Sequence, residues 1–513
     1  MEFNDIFYSY SSEDVLLIQP HVLKHVQVKD MDPVQLNYWE KTDKVGSLIG
    51  DLPIEPNWGL LYIASALKQK EYKVSYIDFH LFDYVKHLKT DEFISDEDIE
   101  SILSKKKCSV IAISSMTRSA DRALKIARIC KKVNPSCKIL LGGIHFSFTA
   151  KETLEQNDFV DVVMSGEGEK TFVELMEHID DIEYWKNIEG LSFRIDNEIF
   201  SNEKLGYNED IDKILWPDYS LWPSDVPLIP RVYLARGCIG NCSYCVVNQL
   251  FSCKVRYRNL EDVINEIIML KQKYNVTEFL VGDLCFPMDK NKTLDFCNAL
   301  IENKLDLKWW CQSKPNLIDD DVLHAMKRAG CAQIAIGIES ADAEVLIRSN
   351  SNKYINKKDY RTIFDICKMI KKYEILIQGY FILGLPGDTF DSCISTINLM
   401  DRLTGEDLVD VTHISVLVPY PGTSTMENHE DFGVEIVDRD YSNYLMNCDL
   451  MNAGVPVYNL EKLDRYQIYS FWQLALSTVA RNYSKRENKK IIMFNDLNCF
   501  AEKLEIKEEM KIN

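Results

Sequence analysis

The stretch RVYLARGCIGNCSYC, residues 231–245, sets a short apolar run directly ahead of three crowded thiols. Cys238, Cys242 and Cys245 follow the spacing C-x3-C-x2-C, and Gly237 and Gly240 share their loop. A closed structural zinc site takes four protein ligands, usually from a second Cys or His pair at short spacing. The next thiol, Cys253, lies eight residues on and is the candidate for such a fourth ligand. The other reading of three thiolates is an iron–sulfur cluster with one iron left open. An open coordination position distinguishes metals that act on substrate from metals that only hold a fold.

Downstream of this loop, strand-length apolar runs alternate with helical spacing. TEFLVGD (277–283), LKWWCQS (307–313), AQIAIGIES (332–340), ILIQGYFILGLP (375–386) and VTHISVLVPY (411–420) read as strands, with helices such as LEDVINEIIMLKQKY (260–274) between them. Together with RVYLAR these six units predict a partial or full parallel α/β barrel over 229–425, with its chemistry at the carboxyl ends of the strands. Residues 426–513 are expected to form a small, mostly helical region that covers substrate and ends in a charged tail. Cys285, Cys297, Cys311, Cys331 and Cys367 fall in apolar contexts, where core packing is the expectation.

Upstream, residues 1–180 alternate in the same way. VLLIQP (15–20), KVSYIDF (73–79), CSVIAISS (108–115) and CKILLGG (137–143) read as strands separated by helices. This predicts an α/β fold, a doubly wound, Rossmann-like parallel sheet covered on both faces. The loops SSMT (114–117), GGIHFS (142–147) and SGEGEKT (165–171) leave the strand ends. Their small and hydroxylated residues are suited either to tight turns or to the ligand crevice of an open α/β sheet. From 181 to 228 the alternation fades, and WPDYSLWPSDVPLIP (216–230) reads as part of an ordered connector.

The chain has 513 residues, a length for roughly three domains, with 46% hydrophobic and 27% charged residues. Its formal net charge of -20 argues against nucleic acid as a partner. No run of about 18 apolar residues predicts a membrane span, and MEFNDIFYSYSSEDV lacks the basic start and apolar core of a secretory signal. Fifteen cysteines over this length fit free thiols in a reducing cytoplasm.

The C-x3-C-x2-C spacing, with Tyr244 before its last cysteine, resembles the radical S-adenosylmethionine superfamily. VGD (281–283), IGIES (336–340), GYFILGLPGDT (379–389) and VPYPGT (418–423) resemble its later motifs, in the family's order. Two positions depart: Gly282–Asp283 stands where relatives commonly carry two acids, and Asp388 where they often carry Glu. PNWGLLYIASAL, VSYID, VIAISSMT, ILLGGIHFSFTAKETL and DVVMSGEGEKTFVEL resemble the cobalamin-binding domain fused to one large branch of the superfamily. Together the two resemblances cover about residues 10–425.

The resemblance implies that Cys238, Cys242 and Cys245 hold a 4Fe–4S cluster. It implies that S-adenosylmethionine binds the fourth iron, with Tyr244, Gly282, Asp283, Glu339 and Gly384 around it. It places cobalamin along Ser115, Thr117, Gly142, Gly143, His145, Gly166, Glu167 and Gly168. His145 is expected to orient its loop rather than to bind cobalt. DFHLFD (78–83) lacks the glycine of the D-x-H-x-x-G cobalt motif and follows the wrong strand, so His80 is expected to be an ordinary loop or surface histidine. The implied chemistry is a 5′-deoxyadenosyl radical used to methylate an unactivated carbon, or phosphorus, of a small-molecule or peptide-derived substrate, with an external one-electron donor such as flavodoxin or ferredoxin. Radical cyclisation, ring contraction or other rearrangement is the alternative within the family. A non-enzymatic iron–sulfur carrier or redox sensor is the alternative outside it, and a radical enzyme whose first domain holds no cobalamin is a third.

Overall fold

The computed structural model describes residues 12–21, 55–90, 92–195, 198–202, 205–251, 254–351, 361–444 and 455–485. Cys253, the first eleven residues and the charged tail lie outside the described residues. The chain forms two compact units, the first closing at Leu228 and the second opening at Ile229.

In the first unit, β1 (Ser12–Gln19), β2 (Val74–Asp78), β3 (Lys107–Ser114), β4 (Lys138–Gly142) and β5 (Val162–Met164) pair in parallel in the order β2-β1-β3-β4-β5. Successive side chains on a strand face opposite sides, and the core divides accordingly. Leu16, Ile18, Ile111, Ile113, Ile139 and Leu141 pack with Ala123, Ile126 and Cys130 of the helix Ala120–Val133. Val15, Leu17, Val110, Ala112 and Leu140 pack with the helices Trp58–Gln69 and Gly168–Glu177 on the other face. Both faces are buried, which is why these strands read as unbroken apolar runs. The helix Trp58–Gln69 begins at Asn57, whose side chain accepts from Leu60 N.

Part of the stretch expected to be a connector joins this sheet. β6 (Leu191–Ile195) and β7 (Glu198–Ser201) add to it antiparallel, beside β5. Leu191 and Phe193 bury their side chains in the second core layer, and β7 beyond β6 forms the edge of the sheet. Trp222 and Val226 pack on Leu81 and Val85, and the proline-rich segment is docked as expected.

In the second unit, β8 (Arg231–Val232), β11 (Glu278–Val281), β12 (Lys308–Ser313), β13 (Cys331–Glu339), β14 (Leu376–Leu383) and β15 (Val411–Val416) form one parallel sheet in the order β15-β14-β13-β12-β11-β8. β9 (Ala235–Arg236) and β10 (Arg256–Tyr257) make a separate antiparallel pair beside the thiol loop. β8 and β15 stay at the two edges, so among the described residues the sheet is an open arc, a partial barrel. Trp309 anchors its core between Phe279, Phe286 and Phe296, and its indole N–H donates to Ala329 O.

The helix Arg465–Tyr483 lies against β15 and the helix Phe390–Gly405. Trp472 Nε1 donates to Ile414 O at 2.8 Å, and Asn482 Nδ2 donates to Thr404 Oγ1 and Asp401 O, each at 2.9 Å. This part of the C-terminal region backs β15 as an outer layer of the second unit. Its apolar face (Ile468, Phe471, Trp472, Leu476, Val479) is buried, as a helix backing a sheet requires.

Candidate functional site

The thiol loop leaves β8 at the carboxyl end of the parallel sheet, where barrel enzymes place their chemistry. Two buried anchors shape its approach. Asp283 Oδ1 accepts from Leu234 N at 2.7 Å and Ala235 N at 3.0 Å. Arg258 donates to Tyr233 O and to Glu266. Gly237 then turns with φ 101°, and any side chain there would run into Lys254 O, so the turn requires glycine. Beyond the turn, Gly240 N donates to Cys238 Sγ at 3.3 Å, and Cys245 N donates to Cys242 O at 3.0 Å.

The loop is clasped across the sheet. Ser243 N donates to Ser349 O, after β13, and Ser243 O accepts from Thr425 N, after β15, both at 2.9 Å. The hydroxyls of Thr425 and Ser243 meet at 3.0 Å, and both residues are buried. A segment leaving one edge of the arc is thus fixed to segments leaving its interior and its far edge.

Cys242 is buried, while Cys238 and Cys245 are half-buried and reachable. Among the described residues no three His, Cys, Asp or Glu side chains gather closely enough to hold a single ion. A zinc ion would draw its sulfurs to about 2.3 Å from one centre. The donor set, all thiol on a glycine-bearing loop, fits an iron–sulfur cluster.

Glu339 ends β13 with φ 66°, left-handed backbone for a residue with a side chain, next to a register shift in the β13–β14 pairing. Such strain costs on the order of 1–3 kcal/mol and collects at functional sites. Its side chain is buried beside the Tyr244 hydroxyl, which also neighbours Cys242 and Cys245. Burial, then Glu339, pushes the Tyr244 phenol well above its usual range. The structure therefore brings Tyr244 and Glu339 together with the thiols. Gly384 lies in the turn after β14, where its carbonyl accepts from the Tyr458 hydroxyl at 2.9 Å. Tyr458 escaped the sequence reading because it comes from a short strand 74 residues on.

Asp283 has a structural part to play beside the thiol loop. It is buried, with its pKa raised to about 7 by desolvation, and the oxygen that accepts from Leu234 and Ala235 positions the thiol loop. Gly282 N donates to Val232 O, pairing this segment with β8. Asp388, likewise buried and raised to about 6, accepts from Leu385 N and the Ser392 hydroxyl, which fixes the turn at Gly384.

In the first unit the strand-end loops interlock. Ser115 N donates to Gly142 O, and His145 N to Ser115 O. Gly143, at φ 90°, approaches Ser115 so closely that a Cβ would lie 2.6 Å from its carbonyl oxygen. Gly166 N donates to Ser147 Oγ, and Glu167 N to Gly206 O. Glu167 itself is buried and accepts from Asn208 N at 2.8 Å, which makes it a strut. Gly168 abuts Ile63 and Met164.

His145 is buried, its Nδ1 3.2 Å from Thr117 Oγ1, with its pKa lowered to about 4 by burial. It is a neutral imidazole bonded within its own loops. His80 sits in the first turn of the helix Phe79–Thr90, after β2. Asp83, where the cobalt motif has glycine, is buried and accepts from Ile94 N. Just past β3, Ser115 and Thr117 are buried while Met116 between them is exposed.

Comparison with known proteins agrees with this division. Residues 52–176 match the B12 binding domain, and residues 232–400 match the radical SAM superfamily. An uncharacterized methyltransferase of Pyrococcus horikoshii is 29% identical over 379 residues, 72% of this chain and 78% of that protein. An anaerobic magnesium-protoporphyrin IX monomethyl ester cyclase of Cereibacter sphaeroides is 26% identical over 451 residues, 85% of this chain and 68% of that protein. The structure of the radical S-adenosylmethionine methyltransferase TsrM from Kitasatospora setae, with cobalamin and a [4Fe-4S] cluster bound, superposes with a TM-score of 0.62 at 16% identity, covering 83% of this chain and 79% of that one. That likeness speaks to the fold. With the thiol loop, the strained Glu339 and the two matched domains in one chain, the protein belongs to the cobalamin-binding radical S-adenosylmethionine enzymes.

Proposed function

We propose that this chain is a cobalamin-dependent radical S-adenosylmethionine methyltransferase acting on an unactivated carbon, or phosphorus, of a small-molecule or peptide-derived substrate. The observation that carries the proposal is the presence, in one chain, of a B12 binding domain and a three-thiol loop beside a strained, buried Glu339. A methyltransferase relative that spans 72% of the chain supports methyl transfer over other outcomes. When bound, the cluster and S-adenosylmethionine supply a 5′-deoxyadenosyl radical, and cobalamin supplies a carrier for the methyl group.

The chain's own residues do the rest. Cys238, Cys242 and Cys245 hold the cluster, and the Ser243 clasp keeps their loop in place. Glu339 and Tyr244 border the S-adenosylmethionine position. Gly384 and its Tyr458 prop shape the turn beyond it. In the first unit the interlocked loops around Ser115, Thr117, Gly142 and Gly143 give cobalamin a rigid rim, which lowers the ordering cost of binding. We also assign an external one-electron donor of the flavodoxin or ferredoxin kind, and a cytoplasmic setting suited to free thiols. No helix among the described residues is long and apolar enough to cross a membrane.

The test is anaerobic reconstitution with iron, sulfide and cobalamin, followed by turnover of methyl-labelled S-adenosylmethionine with candidate substrates under reductant. Label in product together with 5′-deoxyadenosine supports the proposal. Ring formation is the second reading, favoured by the cyclase relative that spans 85% of the chain. It is identified by 5′-deoxyadenosine formed with an unlabelled, cyclised product.

A further inference from the structure

Two residues outside the assigned set converge on Cys238. Lys314 is the first residue after β12, and Cys285 lies in the loop after β11, so both stand at the carboxyl end of the sheet. Lys314 Nζ occupies the space a side chain at Gly240 would take, and that same position is 3.4 Å from Cys238 Sγ. The loop therefore lacks a side chain at 240 where the ammonium comes in. The Cys285 thiol is buried and hydrogen-bonds with the Cys238 thiol, and it also meets the backbone and the charge of Lys314. Phe286 N donates to Gln312 O at 2.6 Å, which ties the Cys285 loop to the end of β12.

Hydrogen bonds to the sulfurs of an iron–sulfur cluster and nearby charge set its reduction potential. A cation and an S–H donor both stabilise the more negative, reduced cluster. We propose that Lys314 and Cys285, acting through the Cys238 sulfur, raise the reduction potential of the cluster and so ease its one-electron reduction. Both are positioning residues. The proposal rests on the cluster reading of the thiol loop.

The test is a reductive titration of the reconstituted cluster, followed by electron paramagnetic resonance without S-adenosylmethionine, in the wild type, K314M, K314R and C285A. Circular dichroism and iron content confirm that each variant folds and loads. The midpoint should move to more negative potential in K314M and, by less, in C285A, while K314R stays near the wild type. A loaded K314M cluster whose potential is unmoved overturns the proposal. So does K314M that keeps its potential but binds S-adenosylmethionine at least tenfold more weakly, since Lys314 would then be a ligand-binding residue. A wild type that takes up no cluster overturns the site reading as well, and is told apart by its iron content.

Discussion

The strand-end loops of the first unit and the thiol loop of the second both depend on glycine, but for opposite purposes. Gly143 lets its loop close on the Ser115 backbone, polar group against polar group. The result is a rim whose hydrogen bonds are largely made before any ligand arrives. Gly240 instead leaves room for a cation beside a reactive sulfur, and Glu339 nearby is held in a backbone conformation it does not favour. One unit spends its local geometry on rigidity, and the other stores strain and charge around the thiols. A scaffold for a large, preformed cofactor suits the first arrangement. Bond-breaking chemistry suits the second.

The largest effect that would break this contrast is loss of the thiols. C238A, C242A or C245A is expected to abolish cluster loading and 5′-deoxyadenosine formation, measured by iron analysis and chromatography, while cobalamin binding by the first unit persists. Next comes Gly143. G143A should destabilise the protein by about 2–3 kcal/mol through the positive φ and the clash with Ser115, read by chemical denaturation together with cobalamin retention. Its neighbour is the control: a Cβ at Gly142 would sit 3.6 Å from Met164 O, an ordinary contact, so G142A should change stability by less than about 0.5 kcal/mol.

Glu339 sharpens the comparison from the other side. E339G should relieve strain and stabilise the fold by about 1 kcal/mol. The same change should weaken S-adenosylmethionine binding by about tenfold or more, a loss of about 1.4 kcal/mol, followed by isothermal titration on the reconstituted protein. A gain in stability with unchanged affinity would show the strain to be incidental.

Asp283 gives a pH test. Its folded pKa, about 7, stands above the ordinary 3.8 because the carboxyl is desolvated. Between these values the native protein binds more protons than the unfolded chain, so this group lowers stability as pH rises from about 4 to 7, and the loss is complete above that window. D283N keeps an acceptor for Leu234 and Ala235 without the charge. It should match the wild type near pH 4 and exceed its stability at pH 8 by on the order of 4 kcal/mol, measured by denaturant titration at both pH values. A modest effect is expected at the prop on Gly384. Y458F removes one hydrogen bond to that carbonyl, about 1 kcal/mol, with a slight rise in the KM for S-adenosylmethionine.

Much of the architecture was open to reading because buried parallel strands must be apolar on both faces. The runs at 108–115 and 332–340 could be little else, and three thiols at that spacing mark their loop unaided. The hairpin β6–β7 was missed because an edge hairpin carries only alternate apolar residues, and LSFRI followed by EIFS is a weak signal beside a proline-rich stretch. Asp283 and Glu167 also brace neighbouring loops, a role set by backbone amides that sequence does not locate. Cys285 and Lys314 carried a usable clue, since each falls just past a strand at the working end of the sheet. Their meeting at one sulfur depends on how β11 and β12 bring their loops together.

The clasp at Ser243 has a consequence for handling the protein. The same short segment that bears the thiols also tethers the two margins of an unfinished sheet. Damage there by oxygen would do more than silence the chemistry: it would loosen the hydrogen bonds that tie this loop to the segments after β13 and β15, and so weaken the fold around the working end of the sheet. Exposure to air should therefore register as lowered stability alongside lost turnover, and a reducing, anaerobic buffer should preserve both.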